Sequence, residues 1–409
     1  MQSNRPLSLI FITLLIDVIG IGIIIPILPT LISQIGGLNL SKAAQWGGFL
    51  IFAYAAAQFL FAPFMGALSD RFGRRPVLII ALLGLGLDYV FHALAPTLAL
   101  LFMGRVFAGM CGASFTTASA YIADISAPEK RAQNFGLIGV AFGVGFILGP
   151  IIGGLAGIIG PRVPFWIAAC LSLMNAALCY FMLPESLPTG QRRKFEWSRA
   201  NPVGSLAQLK QFPMAMALML PLFLLYLASH AVQSNWSFYT MYKFHWSQTM
   251  VGISLSIVGI MVAIVQGGLI RILIPKLGEK KSVIYGMAMY FLGMLLFALA
   301  QNTTMMLSFI AVYTLGGIVG PTMQGIMSRQ VPMNQQGELN GGITSMIALT
   351  SVLGPLIMNN LFAYFTSNEA PIELPGAPML LGALLIFFAT LACIKPMNRL
   401  LTKKNDSST

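Results

Sequence analysis

The sequence predicts an all-α polytopic membrane protein with twelve transmembrane helices in two six-helix bundles. Composition is the first observation: 57% of the 409 residues are hydrophobic and only 9% are charged. A soluble domain usually carries about 25% charged residues. Since a spanning helix takes about 20 apolar residues, twelve spans would occupy roughly 240 positions. Almost nothing remains for a soluble domain, which argues against a water-soluble enzyme.

Twelve apolar runs, numbered spans 1 to 12 in chain order, are the second observation. The runs are continuously apolar, whereas membrane β-strands alternate over about 10 residues, so helices are expected. Their expected positions are 7–28, 45–66, 76–94, 98–121, 133–156, 163–183, 213–236, 248–272, 282–300, 304–328, 338–362 and 376–395.

The net charge of +12 reflects membrane topology. Of the 24 Lys and Arg, only Lys42, Arg162 and Lys243 fall in loops on one side, and only Arg105 lies well inside a span. All the others share the opposite side, which the positive-inside rule makes cytoplasmic. We therefore predict a multi-pass protein of the inner (cytoplasmic) membrane with both termini in the cytoplasm and no nucleic-acid partner.

The division into two bundles is the third observation. The longest polar stretch, residues 184–212, is predicted to be a cytoplasmic linker between bundles at 1–183 and 213–395, with a tail at 396–409. One constant shift in residue number superimposes glycines of equivalent spans, as parallel internal repeats would. The matches are Gly73 on Gly278, Gly136 on Gly341, and Gly149-Pro150 on Gly354-Pro355.

The loop after span 2 carries the most specific motif. It reads Gly66-Ala67-Leu68-Ser69-Asp70-Arg71-Phe72-Gly73-Arg74-Arg75-Pro76. Gly66 would permit close helix approach and Gly73 a tight turn, although the charges alone would equally suit a loop that anchors topology. The whole string resembles the signature loop of the major facilitator superfamily, whose fold has twelve helices in two pseudo-symmetric halves.

Span 5 contains glycines at helical spacing around a proline. Small residues let another backbone approach, and Pro150 can bend the helix. Ordinary Gly-rich packing would explain them equally, but the spacing resembles the motif of drug/proton antiporters in the superfamily. The motif residues are Gly145, Gly149, Pro150, Gly153 and Gly154.

Further segments resemble the tetracycline-efflux branch. They are Asp17 to Gly22, Leu87-Asp88-Tyr89, Gly104-Arg105, Tyr121 to Asp124, and Ser69 to Leu78. The resemblance implies functional positions at Asp17, Gln58, Asp70, Arg74 and Asp88. Of these, Gln58 is expected to line the substrate cavity, together with Gln266 and Tyr290 of the second half.

The second half departs from that branch. The branch has an acid in span 9 and a His in span 8 where this chain has Tyr290 and Val262, whereas Gln266 still matches. A phenol cannot neutralise a cation near neutral pH. We therefore expect metal-chelated tetracycline to be a poor substrate.

Three charges are expected well inside spans: Asp17, Asp88 and Arg105. A charge at a helix centre costs about 2.5–3.5 kcal/mol, so proton coupling is the default interpretation, and a buried structural ion pair is the alternative. His92 lies one turn after Asp88 and is either a proton or substrate partner or a packed histidine.

The remaining candidate residues concern the substrate and the gate. Tyr226, Asn235 and Trp236 in span 7 could contact a ligand, although Trp236 would equally suit an interface belt. The loop after span 2 is expected to form a cytoplasmic gate. In this gate, Asp70 is expected to approach the start of span 11, and Arg74 is expected to pair with Asp124. The residues at the start of span 11 are Gly341 and Gly342.

These features predict a proton-coupled exporter of a drug-like amphipathic molecule, working by alternating access and functional as a monomer. The alternatives are a tetracycline-specific pump or a non-transporting membrane protein such as an embedded enzyme or lipid receptor. We expect no catalytic, metal or cofactor site beyond the coupling proton. The four cysteines lie in apolar runs and are expected to pack rather than form disulfides.

Overall fold

The computed structural model describes residues 5–112, 114–127, 130–192, 212–332 and 335–406. No β-strand occurs among them. Twelve helical segments of the described chain are long and apolar enough to cross a membrane, which confirms the predicted number and class of spans.

The chain forms two compact units. The first unit comprises Met1–Asn201 and His245–Gly259, and the second comprises Pro202–Phe244 and Ile260–Thr409. The expected division at 184–212 stays a prediction, since residues 193–211 lie outside the described part. One feature of the units differs from that division, because the first residues of span 8 pack within the first unit.

Spans 1 to 6 lie in the first unit. Span 1 is Arg5–Ile24, span 2 Leu40–Phe72, span 3 Arg74–Leu94, span 5 Arg131–Ile159 and span 6 Val163–Met182. Span 4 consists of two helices, Leu98–Cys111 and Ser114–Ile125, and short helices run over Leu28–Gly36 and Thr189–Gln191.

Spans 7 to 12 lie in the second unit, except for the first residues of span 8. Span 7 is Pro213–Gln233, span 9 Glu279–Leu299, span 11 Gln336–Phe365 and span 12 Ala377–Asp406. Span 8 comprises Gln248–Ile264, a π-helical turn Val265–Leu269, and Ile270–Leu277. Span 10 comprises Thr303–Leu315, Gly316–Ile318 and Val319–Ser328, and a short helix Trp236–Phe244 follows span 7.

Local chemistry explains where the helix ends depart from the apolar runs. Span 1 ends at Ile24 rather than near residue 28, because Pro26 disfavours a helical residue before it. Span 2 starts earlier than expected, since the Asn39 side chain accepts a hydrogen bond from the Lys42 N–H at 3.0 Å. Hydropathy predicts which residues of a helix cross the membrane core, whereas capping residues and prolines determine where the helix begins and ends.

Gly73 and Gly278 make equivalent turns in the two units. Gly73 joins spans 2 and 3 with φ +108°, and Gly278 joins spans 8 and 9 with φ +75°. Residues with a Cβ rarely adopt such angles. The pair that the sequence shift superimposed therefore shares a backbone conformation as well as a residue type.

Cys179 and Cys393 are buried, as expected of packing residues, and all four cysteines are free. Cys179 Sγ lies 3.2 Å from Thr13 Oγ1 in the core between spans 1 and 6. Cys170 is exposed, so the packing interpretation is wrong for this residue.

Candidate transport site

Asp88 and Arg105 form a buried ion pair in the first unit. Asp88 on span 3 is 0% exposed, and its Oδ2 contacts Nη2 of Arg105 on span 4. Gly104 makes room for this approach, because a Cβ there would lie 3.1 Å from Asp88 Oδ1. Two of the three charges that the sequence predicts inside spans therefore compensate each other.

His92 packs beside this pair. Its Nδ1 lies 2.9 Å from the Asp88 carbonyl oxygen and 3.2 Å from Asp88 Oδ1, as expected for residues one turn apart. The imidazole is fully buried and stacks on Phe165 with ring centroids 5.4 Å apart. This geometry favours the packed interpretation of His92 over a role in substrate contact.

Asp17 is the second buried acid and has a different partner. It is 4% exposed on span 1, and its Oδ2 accepts a hydrogen bond from Ser114 Oγ at 2.6 Å. Among the described residues no Lys, Arg or His forms a salt bridge with Asp17. Asp17 therefore lacks the charge compensation that Asp88 has.

Gln58 on span 2 occupies the break in span 4. Its Nε2 donates to the Gly112 carbonyl at 2.7 Å, between the two helices of that span. It also lies 3.4 Å from the Tyr54 hydroxyl one turn earlier. The amide thus satisfies a carbonyl left free by the helix break, which sequence reasoning did not foresee when it placed Gln58 at the substrate.

The signature loop contains a charge network. Arg74 Nη1 lies 2.5 Å from Asp70 Oδ1, and Arg74 Nε donates to Asp124 Oδ2 at 3.1 Å. The expected Arg74–Asp124 pair is therefore present. The approach of Asp70 to Gly341 and Gly342 stays a prediction.

Other residues of the loop hold its ends. Arg75 donates to the Tyr180 carbonyl oxygen of span 6, and Arg71 lies over the Phe72 ring at 5.1 Å. No described atom lies within 4 Å of the position a Cβ of Gly66 would take, so close helix approach at Gly66 was a wrong expectation.

Glu185, just after span 6, completes this network and was missed. Its carboxylate accepts from the backbone N–H groups of Arg74 at 2.8 Å and Arg75 at 3.2 Å, at the N-terminus of span 3. The next residue, Ser186, donates to Asp124 Oδ2 at 3.0 Å. A Cβ on Gly73 would collide with the Glu185 carboxylate, which adds a second reason for glycine there. Glu185 could not be identified from the sequence, because an acidic residue just after a span has no local pattern that marks it. Only the folded structure brings it to the start of span 3.

The span 5 motif glycines are contact points with span 1 and with the start of span 8. A Cβ on Gly149 would lie 2.7 Å from Gly22 Cα, and one on Gly145 would lie 2.6 Å from Val18 Cβ. Gly153 meets the Ile23 carbonyl, and Gly154 meets the backbone of Gln248 and Thr249. Pro150 lies inside the helix, where it leaves no N–H to donate.

Tyr290 belongs to a neutral aromatic cluster in the second unit. Its hydroxyl lies 3.2 Å from that of Tyr313 on span 10, with ring centroids 4.7 Å apart. Tyr226 on span 7 accepts a hydrogen bond from Gln324 Nε2 at 2.9 Å. Tyr290, where the resemblance implied an acid, therefore contacts a second phenol. Tyr313 and Gln324 were missed because single polar residues in a span carry no pattern.

Gln266 repeats the role of Gln58. Its Nε2 donates to the Gly317 carbonyl at 3.3 Å, in the 3₁₀ turn that interrupts span 10. Each unit thus uses a glutamine of its second helix to reach the break in its fourth helix.

Asn235 and Trp236 lie in the interior of the second unit, but after span 7, which ends at Gln233, rather than within it as expected. Both are almost fully buried, and the Trp236 ring meets the edge of Phe297 with centroids 5.1 Å apart. This packing explains Trp236 without a ligand or an interface belt.

The comparisons with known proteins decide the family. A model of the Major Facilitator Superfamily matches residues 10–355 and 222–405. The chain belongs to the Major Facilitator Superfamily. Solved structures show the same superfamily fold, among them the human organic anion transporter MFSD10 (TETRAN), with TM-score 0.70, 23% identity and coverage of 96% of this chain and 99% of that chain. A bacterial homologue of the lysosomal transporter Spinster gives TM-score 0.78 at 15% identity over 97% and 98%.

Within the superfamily, the chain is related to tetracycline resistance proteins. The class C protein of Escherichia coli is 40% identical over 368 residues, which cover 90% of this chain and 92% of that protein. The class B protein of Escherichia coli is 35% identical over 91% and 90%. Multidrug resistance protein 2 of Bacillus subtilis is 28% identical over 88% and 90%. The predicted branch and the prediction of a proton-coupled efflux transporter with a small-molecule substrate are confirmed.

Proposed function

We propose that this transporter exports a drug-like amphipathic molecule in exchange for protons that bind to the acids of the first unit. The two buried acids of spans 1 and 3, held in different environments, are the observation that supports it most. The chain acts by alternating access as a monomer, with both termini in the cytoplasm and with the proton as its only coupling species.

Asp17 is the proposed proton carrier. A buried carboxylate without a cationic partner is costly in a low-dielectric interior, so taking up a proton relieves that cost. Ser114 can donate to the carboxylate and can accept from the protonated acid, because a hydroxyl does both. Asp88 is already compensated by Arg105, and it would exchange a proton only when that pair opens.

The second unit is proposed to recognise the substrate through neutral groups. Tyr226, Tyr290 and Tyr313 offer aromatic faces and hydroxyls, and Gln324 offers an amide. Such groups stack on a planar drug and hydrogen-bond to it, but they provide no negative charge for a metal chelate. A lipophilic aromatic or organic-cation compound is therefore favoured over magnesium-tetracycline.

Tetracycline itself is the second candidate substrate. Relatives named for tetracycline resistance reach 40% identity over nearly the whole chain, which favours it. The two candidates differ in whether export depends on magnesium. Export of magnesium-tetracycline needs a group that binds the chelate, whereas export of an organic cation does not.

The test is export by the purified protein in proteoliposomes, with ethidium and with tetracycline with and without Mg²⁺. Proton movement is read from a pH dye inside the vesicles. Ethidium-driven proton movement with weak magnesium-tetracycline transport is expected, and Tyr290→Asp should raise magnesium-tetracycline transport relative to the parent. Strong magnesium-dependent transport by the parent would favour the tetracycline candidate. Absence of proton movement with every compound of a broad drug panel would refute proton-coupled export.

A further inference from the structure

Tyr54 lies where the surroundings of the two buried acids meet. It is on span 2, one turn before Gln58, and its side chain is half-buried. A Cβ on Gly109 of span 4 would collide with the Tyr54 carbonyl oxygen, so spans 2 and 4 are in close backbone contact at this level. The backbone of Tyr54 is therefore fixed against the helix that carries Arg105.

The ring of Tyr54 supports the Arg105 guanidinium. The Arg105 Cζ atom lies 5.5 Å from the ring centroid, within the range of a cation–π interaction. Arg105 is thus held between the Tyr54 ring and the Asp88 carboxylate. A long, flexible side chain needs such a second contact to keep one orientation in a helix bundle.

The hydroxyl of Tyr54 contacts Gln58. It accepts a hydrogen bond from Gln58 Nε2 at 3.4 Å, and Gln58 also donates to the Gly112 carbonyl, two residues before Ser114, the partner of Asp17. Tyr89 of span 3 has its hydroxyl beside Gly20 of span 1. Among the described residues, the charged group in contact with the Tyr54 ring is Arg105, which is paired with Asp88.

We propose that Tyr54 is a positioning residue for proton coupling, whose ring holds Arg105 against Asp88. The inference rests on the proposed function. Without the ring, Arg105 would take more than one orientation and compensate Asp88 less well. Asp88 would then bind a proton at higher pH, while substrate affinity would stay the same because the ring acts on the ion pair.

The test compares Tyr54→Met, which removes the ring but keeps similar length, with Tyr54→Phe, which keeps the ring. Tyr285→Met is the matched control, because Tyr285 is an exposed tyrosine of span 9 (55% exposed). Ethidium-induced proton movement in proteoliposomes is measured from pH 5 to pH 9, with kcat and KM for ethidium at each pH. If Tyr54→Met does not insert, Tyr54→Leu replaces it.

Loss of a cation–π contact corresponds to a change of about 2- to 30-fold. Tyr54→Met should therefore lower kcat by about that factor and move the midpoint of the pH profile upward by about half a unit or more, with KM within twofold of the parent. Tyr54→Phe and Tyr285→Met should keep the parent profile. A Tyr54→Met profile that superimposes on the parent, or a Tyr54→Phe shift of equal size, would overturn the inference. Failure of the parent itself to move protons with ethidium and with every compound of the drug panel would instead refute the proposed function.

Discussion

Asp88 and Asp17 should respond differently to the same substitution, because their partners differ. Asp88→Asn leaves the Arg105 guanidinium, 16% exposed, without its counter-ion. Removing one partner of a buried pair costs about 3–5 kcal/mol. The Tyr54 ring offsets about 0.5–2 kcal/mol of that cost, since it continues to stabilise the cation. The expected net loss of stability is roughly 1–4.5 kcal/mol.

Asp17→Asn breaks no ion pair. The amide oxygen can still accept the hydrogen bond from Ser114, which at 2.6 Å is the one polar contact described for this acid. Exchanging a charged acceptor for a neutral one changes the free energy by about 1 kcal/mol. Loss of a buried charge offsets part of this change, so the protein should stay close to the stability of the parent while losing proton-coupled transport.

The assay is unfolding of the purified variants in mixed micelles titrated with a denaturing detergent, followed by circular dichroism at neutral pH. The double variant Asp88→Asn/Arg105→Gln is the control, because it removes both charges and should recover at least half of the loss. Equal losses for Asp17→Asn and Asp88→Asn would refute the reasoning. So would a double variant less stable than Asp88→Asn alone.

Three further outcomes follow from the packing. Gly149→Ala should lower stability by about 1–3 kcal/mol because its Cβ meets the backbone of span 1, whereas Gly143→Ala, with open space at the Cβ position, should be neutral or stabilising in the same unfolding assay. Gln58→Leu should cost about 1–2 kcal/mol and Gln266→Leu about half as much, since the second hydrogen bond is longer and more exposed; hydrogen exchange at the two helix breaks should show the same order. Glu185→Gln should lower stability by about 1 kcal/mol by removing the negative charge at the start of span 3, an effect that high salt should weaken.

The spans and their repetition could be predicted from the sequence because both depend on local composition. An apolar run long enough to cross a bilayer has few alternatives to a helix, since every backbone group needs a partner within the segment. Gly73 and Gly278 could be matched because a turn of that backbone conformation excludes other residues. The Arg74–Asp124 pair was accessible through the motif in which Arg74 lies.

The surroundings of the charged residues could not be predicted in the same way. Hydropathy is nearly uniform around these helices, so it does not fix how each helix is rotated about its axis. That rotation brings Tyr54 under Arg105 and encloses His92 against Phe165. The break in span 4 at Gly112 was equally hidden, because the apolar run continues through it.

The two units keep one backbone design and differ in chemistry. Gln58 and Gln266 each donate to a carbonyl at a helix break, yet the residue one turn before Gln58 is Tyr54, whereas the residue one turn before Gln266 is Val262. A charge at the centre of a membrane span costs about 2.5–3.5 kcal/mol, so a charged residue at that depth is a candidate for a functional role.

Among the described residues, the charges well inside spans belong to the first unit, and the second unit offers phenols and amides at the corresponding depth. This difference supports the proposed division of roles, in which the first unit binds protons and the second recognises a neutral or cationic aromatic surface. Under that proposal, proton binding is coupled to transport by altering the conformation that the substrate selects.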